Sequence, residues 1–255
     1  MSRKSIGKVY IVGAGPGDPE LITIKGLKAL KKGDVIIYDR LVNPKLLKYA
    51  VKAKELINVG KEKGEAHRQD EINELMIEKA RQGFTVVRLK GGDPMLYGRV
   101  GEECEALRKA GIPYEIIPGV SAFQAAAAYS EIYITHRHYS SSLAIATGHE
   151  EGGTSGKKVN LTLLAKAADT MIIFMGVSKL KDIVDELLRG DLDPNTSIAI
   201  VQNASLRNQV IVRGKLRDIV HKVDNIRLSP PAMIFIGKAV EHMPQRPWFK
   251  CRKVE

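Results

Sequence analysis

Short runs of apolar residues alternate along the chain with segments in which apolar residues recur every three or four positions. The short runs are typical of buried strands, and the spaced pattern is typical of amphipathic helices. In the first half of the chain the runs begin at Val9, Val35, Leu56, Thr85 and Tyr114. Helical patterns cover residues 22–32, 71–82 and 102–110. Strands that alternate with helices predict a parallel sheet with helices on its faces.

The pattern changes after Pro118-Gly119, where a stretch of small residues begins. Ser121 is a plausible N-cap for a helix that runs to Tyr129. Five further apolar runs follow, and the short spacing of the last ones indicates a hairpin; they begin at Leu143, Met171, Ser197, Val210 and Met233. We therefore predict two α/β domains, residues 1–118 and 119–255.

Composition excludes several classes of protein. Of 255 residues, 44% are hydrophobic and 27% are charged, as in an ordinary globular chain. No apolar run approaches the ~20 residues that span a bilayer, and no secretory segment precedes the first strand. Cys104 and Cys251 are too few for a disulfide scaffold, which favours the cytoplasm.

The chain is basic, with 40 Lys and Arg against 29 Asp and Glu and a net charge of +11. Such a surplus attracts nucleic acid, an anionic membrane surface or a polyanionic small molecule. The basic residues are dispersed, and aromatic residues make up only 5% of the chain. Nucleic acid is therefore a secondary hypothesis. A basic surface that only maintains solubility is an equally open interpretation.

A glycine-rich loop, Gly13-Ala-Gly-Pro-Gly-Asp-Pro19, follows the first predicted strand. A dinucleotide-binding fold places G-x-G-x-x-G and a helix N-terminus there. Here the third glycine comes one position early, and Pro16 and Pro19 prevent a helix from starting directly after Gly15. Because Asp39 ends the second strand, where a ribose-binding acid would lie, a nucleotide-dependent oxidoreductase is an alternative. A plain Gly/Pro turn is another.

A second loop, Arg88-Leu-Lys-Gly-Gly-Asp-Pro94, also follows a predicted strand. Paired glycines let a ligand approach the backbone closely, and loops at the carboxyl ends of parallel strands form the usual ligand crevice. Asp39 and Lys61 follow the second and third strands, so we expect both at this edge. By spacing alone, a capping role is the more frequent one for such an aspartate.

A series of motifs then points to a family. Its members, in order, are Val12-Gly-Ala-Gly-Pro-Gly-Asp-Pro19, Tyr38-Asp-Arg-Leu-Val42, Val87-Arg-Leu-Lys-Gly-Gly-Asp-Pro94, Tyr97-Gly-Arg99, Gly101-Glu-Glu103, Pro118-Gly119 and Thr135-His-Arg137. This series resembles the tetrapyrrole methylases, and within them the members that methylate uroporphyrinogen III. The resemblance covers nearly the whole chain.

The resemblance implies two α/β domains with S-adenosylmethionine in the cleft between them, and a homodimer. It implies methylation of uroporphyrinogen III at C2 and C7 to give precorrin-2, with Asp39 as the base and Lys61 as the acid. Replacing Asp39 by Asn is then expected to lower turnover and to leave the melting temperature nearly unchanged. The residues implied to border the cosubstrate are Pro16, Gly91, Gly92, Asp93, Leu96, Ser121, Ala122, Met175, Ala204 and Ala232. A methyltransferase of the same fold that acts on another tetrapyrrole, on RNA or on a protein is the alternative.

The implied substrate also accounts for the charge. Uroporphyrinogen III carries eight carboxylates, which guanidinium forks bind well. The candidate substrate-binding residues are Arg40, Lys90, Arg99 and Arg137. No metal is required by this reaction, and His136, His138 and His149 lack the spacing of zinc ligands.

Overall fold

The computed structural model describes residues 5–60, 69–148, 159–224, 226 and 228–250. Contacts divide the chain into two units, Met1–Ala122 and Phe123–Glu255. Each unit has a sheet with helices, so the predicted α/β class is confirmed. The division lies after Ala122, whereas the sequence analysis places it after residue 118.

The first unit is built around a parallel sheet, as predicted. Its strands and helices, in chain order, are β1 (Val9–Gly13), α1 (Ile24–Leu30), β2 (Val35–Tyr38), β3 (Glu55–Asn58), α2 (Gln69–Arg81), β4 (Val86–Lys90), α3 (Val100–Lys109) and β5 (Tyr114–Ile117). The strand order is β3-β2-β4-β1-β5, and every pair in it is parallel. The carboxyl ends of these strands therefore lie at one edge of the sheet.

Apolar side chains cover both faces of this sheet. Val9 and Ile11 pack into one hydrophobic layer with Met76 of α2 and Leu107 of α3. Val12, which points the opposite way along the same strand, packs into the other layer. This two-sided burial explains why the parallel strands are apolar runs rather than alternating ones.

The second unit contains a mixed sheet. Its elements are α4 (Ala122–Ser130), β6 (Leu143–Thr147), α5 (Leu161–Ala167), β7 (Thr170–Phe174), α6 (Leu180–Arg189), β8 (Ser197–Gln202), β9 (Val210–Lys215), α7 (Ile219–Asp224), β10 (Ala232–Gly237) and α8 (Lys238–Glu241). The strand order is β6-β7-β10-β8-β9. Only β6 and β7 pair in parallel among the described strands of this sheet, and β8 and β9 form the predicted hairpin.

The core of the second unit lies between this sheet and its helices. Ile183 and Leu187 of α6 pack with Ile173, Ile198 and Ile234 of the central strands.

Among the described residues, none of the helices has the length and apolarity to cross a bilayer.

A network of hydrogen bonds around Asp169 joins the start of β7 to the segment before β6. The Asp169 carboxylate accepts hydrogen bonds from the amide and hydroxyl of Ser141, at 2.9 and 3.1 Å. It accepts two more from Ser142, at 3.2 and 3.0 Å. These bonds, the Ser141 amide first among them, lower the pKa of Asp169 to about 2.

Asp169→Asn tests this network through the pH dependence of stability. Since the native pKa lies below the ordinary value of 3.8, the carboxylate stabilises the native state at neutral pH, and this contribution is lost as the pH falls towards 2. We expect the variant to melt below the wild type at pH 6, and the gap to narrow steadily from pH 5 to pH 3. The control Asp182→Asn, whose carboxylate is largely exposed, should change little. A gap that stays constant down to pH 3 would contradict the assignment.

Candidate active site

Backbone contacts hold together three loops at the carboxyl edge of the first sheet. Gly15 and Gly92 exchange two backbone hydrogen bonds, of 3.2 and 3.0 Å, which join the loops after β1 and β4. The Asp93 carboxylate accepts hydrogen bonds from the amides of Gly119 and Met95, each at 2.9 Å. Asp93 thereby joins the β4 loop to the β5 loop, so the three loops are fixed relative to one another.

Two glycines make this close arrangement possible. A Cβ on Gly119 would lie 2.5 Å from the Gly92 carbonyl oxygen, so only glycine fits there. Gly92 adopts a φ of +70°, which favours glycine. An added Cβ would meet only the Ala122 nitrogen, at an ordinary contact distance of 3.6 Å, so no clash is expected there. Gly92 itself is buried, so a ligand contact with its backbone stays a prediction.

The structure brings the cosubstrate candidates of the first unit to this edge. They lie on the loops after β1, β4 and β5 or at the start of α4: Pro16, Gly91, Gly92, Asp93, Leu96, Ser121 and Ala122. Because both carboxylate oxygens of Asp93 are engaged by backbone amides, the structure gives this residue a loop-fixing role. A direct contact with the cosubstrate stays a prediction for all seven.

In the second unit, the three remaining cosubstrate candidates share one edge of the sheet. Met175 follows β7 and Ala204 follows β8. Ala232 begins β10, and because β10 runs antiparallel to both strands, it pairs with Gln202 at the end of β8. The mixed sheet thus places all three residues together at the edge where β7 and β8 end.

The loops at this edge contain left-handed residues other than glycine. The φ angles of Met175, Asn203 and Ser205 are 53°, 50° and 67°. Such residues are uncommon and cluster at functional sites. The buried Gln209 fixes this loop, because its Oε1 accepts a hydrogen bond from the Ser205 amide at 2.8 Å and its Nε2 donates to the Tyr129 carbonyl at 3.1 Å.

Asp39 belongs to a cluster of charged side chains beneath the loops of the first unit. It follows β2, with 31% of its side chain exposed, and its Oδ1 accepts a 2.5 Å hydrogen bond from Nη2 of Arg88 on β4. Arg88 is only 2% exposed, and its Nε donates to Oε1 of Glu103 on α3 at 3.0 Å. The Lys90 ammonium donates to the same oxygen at 2.7 Å. We call Asp39, Arg88, Lys90 and Glu103 the charge cluster.

Burial makes the charge cluster expensive to form. Desolvation, followed by repulsion from Arg88, lowers the pKa of Lys90, although Glu103 and Asp39 oppose this shift. Glu103 is fully buried. Among the residues that the structure describes, Nη1 of Arg88 and Oε2 of Glu103 have no hydrogen-bond partner. The ion pairs therefore offset only part of the desolvation cost.

The second proposed catalytic residue, Lys61, lies outside the described residues. The residue before it, Gly60, packs against the backbone of Arg40, where an added Cβ would lie 2.2 Å from the Arg40 nitrogen. Arg40 itself is exposed. The ends of β2 and β3 are thus in contact, as expected for neighbouring parallel strands.

The other substrate-binding candidates occupy different environments. Arg99 is 59% exposed and forms two hydrogen bonds with Glu102, at 2.9 and 2.6 Å. Arg137, in the second unit, is also exposed. Lys90 is buried against Glu103, so its ammonium is already paired with a carboxylate. A role for Lys90 in substrate binding stays a prediction, and the burial of its side chain does not favour it.

The sequence analysis did not assign Arg88 and Glu103 to the site. Their signals are visible in retrospect. Arg88 and Lys90 are charged residues in a strand whose five residues are all buried, and Glu103 shares the apolar face of α3 with Val100 and Leu107. A charged residue in a buried position needs a partner, but sequence alone does not say that these two pair with each other.

The described residues contain no group of three or more His, Cys, Asp and Glu side chains arranged to hold a metal ion. The ring of His136 stacks on Tyr139, and Tyr139 stacks in turn on His242, each with centroids 3.9 Å apart. His149 lies outside the described residues.

The geometry does not support the dinucleotide-binding alternative. The loop after β1 leads into a 3-10 turn at Pro19–Leu21, and α1 begins only at Ile24. No helix N-terminus therefore follows the glycines directly, as pyrophosphate binding would need. The strand order of the first sheet also differs from that of the doubly wound dinucleotide-binding fold.

Several known proteins are similar to this chain in both sequence and fold. The sequence model of the Tetrapyrrole (Corrin/Porphyrin) Methylases matches residues 8–220. A uroporphyrinogen-III C-methyltransferase of Methanocaldococcus jannaschii is 48% identical over 92% of this chain and 97% of its own length. The Bacillus subtilis protein of that name is 43% identical over 96% of this chain, which spans about half (51%) of that relative.

A solved structure of a protein with a similar name also resembles this chain. The uroporphyrin-III C-methyl transferase of Thermus thermophilus, crystallised with S-adenyl homocysteine, superimposes with a TM-score of 0.78. It is 38% identical, and the match covers 92% of this chain and 99% of the other. From its motif series, its two α/β units and these relatives, the chain is a member of the tetrapyrrole methylase family.

Proposed function

We propose that this protein transfers methyl groups from S-adenosylmethionine to C2 and C7 of uroporphyrinogen III, giving precorrin-2 and two molecules of S-adenosylhomocysteine. In each transfer a pyrrole carbon attacks the methyl carbon, a carbon–carbon bond forms and the sulfur–carbon bond breaks. The substituted ring then loses a proton. The observation that carries the proposal is a partly exposed carboxylate, Asp39, held by a buried guanidinium at the edge that also carries the glycine loops. The near full-length relatives support the choice of substrate.

The cosubstrate supplies a methyl group on a positively charged sulfur. The loops of the first unit that are proposed to bind it are fixed before it arrives, because backbone hydrogen bonds join Gly15 to Gly92 and the Asp93 carboxylate accepts a hydrogen bond from the Gly119 amide. Rigid loops lower the entropy cost of holding the reacting carbons in line. Gly92 has the role of letting the ligand contact the backbone.

Asp39 is proposed to accept the proton that the pyrrole loses. Its carboxylate is partly exposed, while Arg88 holds one of its oxygens from beneath. The other oxygen is thereby oriented for proton transfer. Lys61 is assigned the role of acid by the family resemblance.

Substrate recognition is assigned to exposed guanidinium groups. Arg40, Arg99 and Arg137 are all exposed, and a guanidinium binds a carboxylate through two parallel hydrogen bonds. Arg99 already pairs with the exposed Glu102. Because exposed ion pairs are weak, a substrate carboxylate can displace Glu102. We also propose that the protein acts as a homodimer in the cytoplasm, as the family resemblance implies.

Incubation with uroporphyrinogen III and methyl-labelled S-adenosylmethionine, with oxygen excluded, tests the proposed reaction. We expect mass spectrometry to show a product with two added labelled methyl groups. A parallel incubation with total RNA and total protein is the control for other acceptors. Labelled RNA or protein together with an unmodified tetrapyrrole would overturn the substrate assignment.

Asp39→Asn tests the base. Turnover should fall by about 10²–10⁴-fold, the usual contribution of general base catalysis, while affinity for S-adenosylhomocysteine stays the same in calorimetry. We also expect a lower melting temperature, in place of the nearly unchanged one that the sequence analysis expects. Because Arg88 is buried and pairs with Asp39, the variant leaves a buried charge poorly compensated and should melt earlier.

The matched control is Asp34→Asn, at the amino end of the same strand. Its carboxylate caps the Thr85 amide at 2.9 Å, so this variant should melt earlier but keep its turnover. An Asp39→Asn enzyme with near-normal turnover would exclude Asp39 as the base.

Gly92→Ala tests the cosubstrate cradle, with Gly111→Ala as its control. The two glycines have nearly equal φ angles, +70° and +69°, and neither would place its Cβ in a clash. Each substitution should therefore destabilise the fold by about 1–2 kcal/mol. We expect only Gly92→Ala to weaken S-adenosylhomocysteine binding in calorimetry. Equal affinities for the two variants would remove Gly92 from the binding site.

A further inference from the structure

Glu103 is the centre of the charge cluster. Its side chain is fully buried, and its Oε1 accepts hydrogen bonds from Arg88 Nε at 3.0 Å and from Lys90 Nζ at 2.7 Å. Gln69, at the start of α2, approaches the same oxygen with its Nε2 at 3.4 Å. One carboxylate oxygen of α3 therefore approaches donor groups from both β4 and α2.

Stability alone does not explain this arrangement. Glu103 lies on the apolar face of α3, beside Val100, Cys104 and Leu107, which pack into the hydrophobic layer on that side of the sheet. Replacing buried ion pairs by well-packed apolar residues is often neutral or stabilising. The second carboxylate oxygen of Glu103, Oε2, also has no hydrogen-bond partner among the described residues. A residue this costly to bury indicates a role beyond packing.

The geometry of Arg88 indicates what that role is. A guanidinium is planar, and its donors have fixed directions. With Nε held by Glu103, the donor that reaches Asp39 is Nη2. Without Glu103, Arg88 is free to turn and offer both Nε and Nη2 to Asp39 as a two-pronged pair. The carboxylate would then shift, and the oxygen left for the substrate would change direction.

We propose that Glu103 is a positioning residue that orients Asp39 for proton abstraction by fixing the guanidinium of Arg88. The inference rests on the proposed function, because it concerns the same reaction and the same carboxylate. It adds a fully buried residue that touches neither substrate nor cosubstrate. Its influence passes through two hydrogen bonds, from Glu103 to Arg88 and from Arg88 to Asp39.

Glu103→Gln is the first test, because it keeps the shape of the side chain and removes its charge. We expect kcat to fall by about 100-fold, the effect of a small misplacement of a reacting group. The KM for S-adenosylmethionine and the affinity for S-adenosylhomocysteine should not change. The matched control is Glu105→Gln, an exposed glutamate on the same helix, which should behave as the wild type. A Glu103→Gln enzyme with unchanged kcat would overturn the inference.

A second comparison separates an effect on positioning from an effect on stability. Glu103→Gln removes one negative charge from the cluster, so the positive charges of Arg88 and Lys90 are no longer balanced and the variant should also be less stable. Adding Lys90→Met restores equal numbers of positive and negative charges in the cluster and should recover much of the melting temperature. We expect kcat to stay about 100-fold below that of Lys90→Met alone. Recovery of kcat together with the melting temperature would show that Glu103 acts only on folding, and would overturn the inference.

A double-mutant cycle with Asp39→Asn completes the test. If Glu103 acts through Asp39, Glu103→Gln should lower kcat further by less than about two-fold in the Asp39→Asn background. A full 100-fold effect in that background would overturn the inference while leaving Asp39 as the base. An Asp39→Asn enzyme with normal turnover would instead refute the proposed function of that residue, so the two failures are distinguishable.

Discussion

The buried guanidinium of Arg88 and the charges paired around it constrain much of the first unit. Arg88 requires a carboxylate on each side, so β2 must end with Asp39 beside it and α3 must turn Glu103 towards the sheet. Lys90 completes the balance of two positive and two negative groups. Removing one member leaves an uncompensated charge, which costs far more than the loss of an ordinary apolar contact. Sheet register, helix orientation and the position of the proposed base are therefore linked through one electrostatic requirement.

Each unit brings its candidate cosubstrate-binding loops to one edge of its sheet, but the two sheets do so with different topologies. In the first, parallel strands bring their carboxyl ends to one edge, and close backbone contacts at Gly15, Gly92 and Gly119 join the loops. In the second, antiparallel β10 lies between β7 and β8, so that the start of β10 meets the ends of its neighbours. Left-handed residues at Met175 and Asn203 shape that edge. In each unit, segments that are distant in sequence thus lie together at one edge of the sheet.

The sequence predicts local and periodic features well, and it fails where distant elements choose partners. Apolar runs locate the strands, and the glycine loops are predicted to meet because parallel strands end together. The insertion of β10 between β7 and β8 has no local signal, since it depends on packing across the whole sheet. The sequence analysis predicts Lys90 to bind substrate because the implied substrate carries eight carboxylates. Its burial follows from Glu103, and the pairing of these two residues depends on how α3 rotates against the sheet. The role of Lys61 stays a prediction.

The position of β1 in its sheet has a consequence for the order in which the chain folds. Within the first unit this strand precedes all the others, yet both of its neighbours come much later along the chain: β4 begins at Val86 and β5 at Tyr114. Strands joined over such distances pair slowly, because a long loop must close first. A nascent chain that has passed β2 and β3 can pair those two strands while β1 still has none of its final partners. Until about residue 117 has left the ribosome, β1 therefore remains an apolar segment whose two edges lack their final partners.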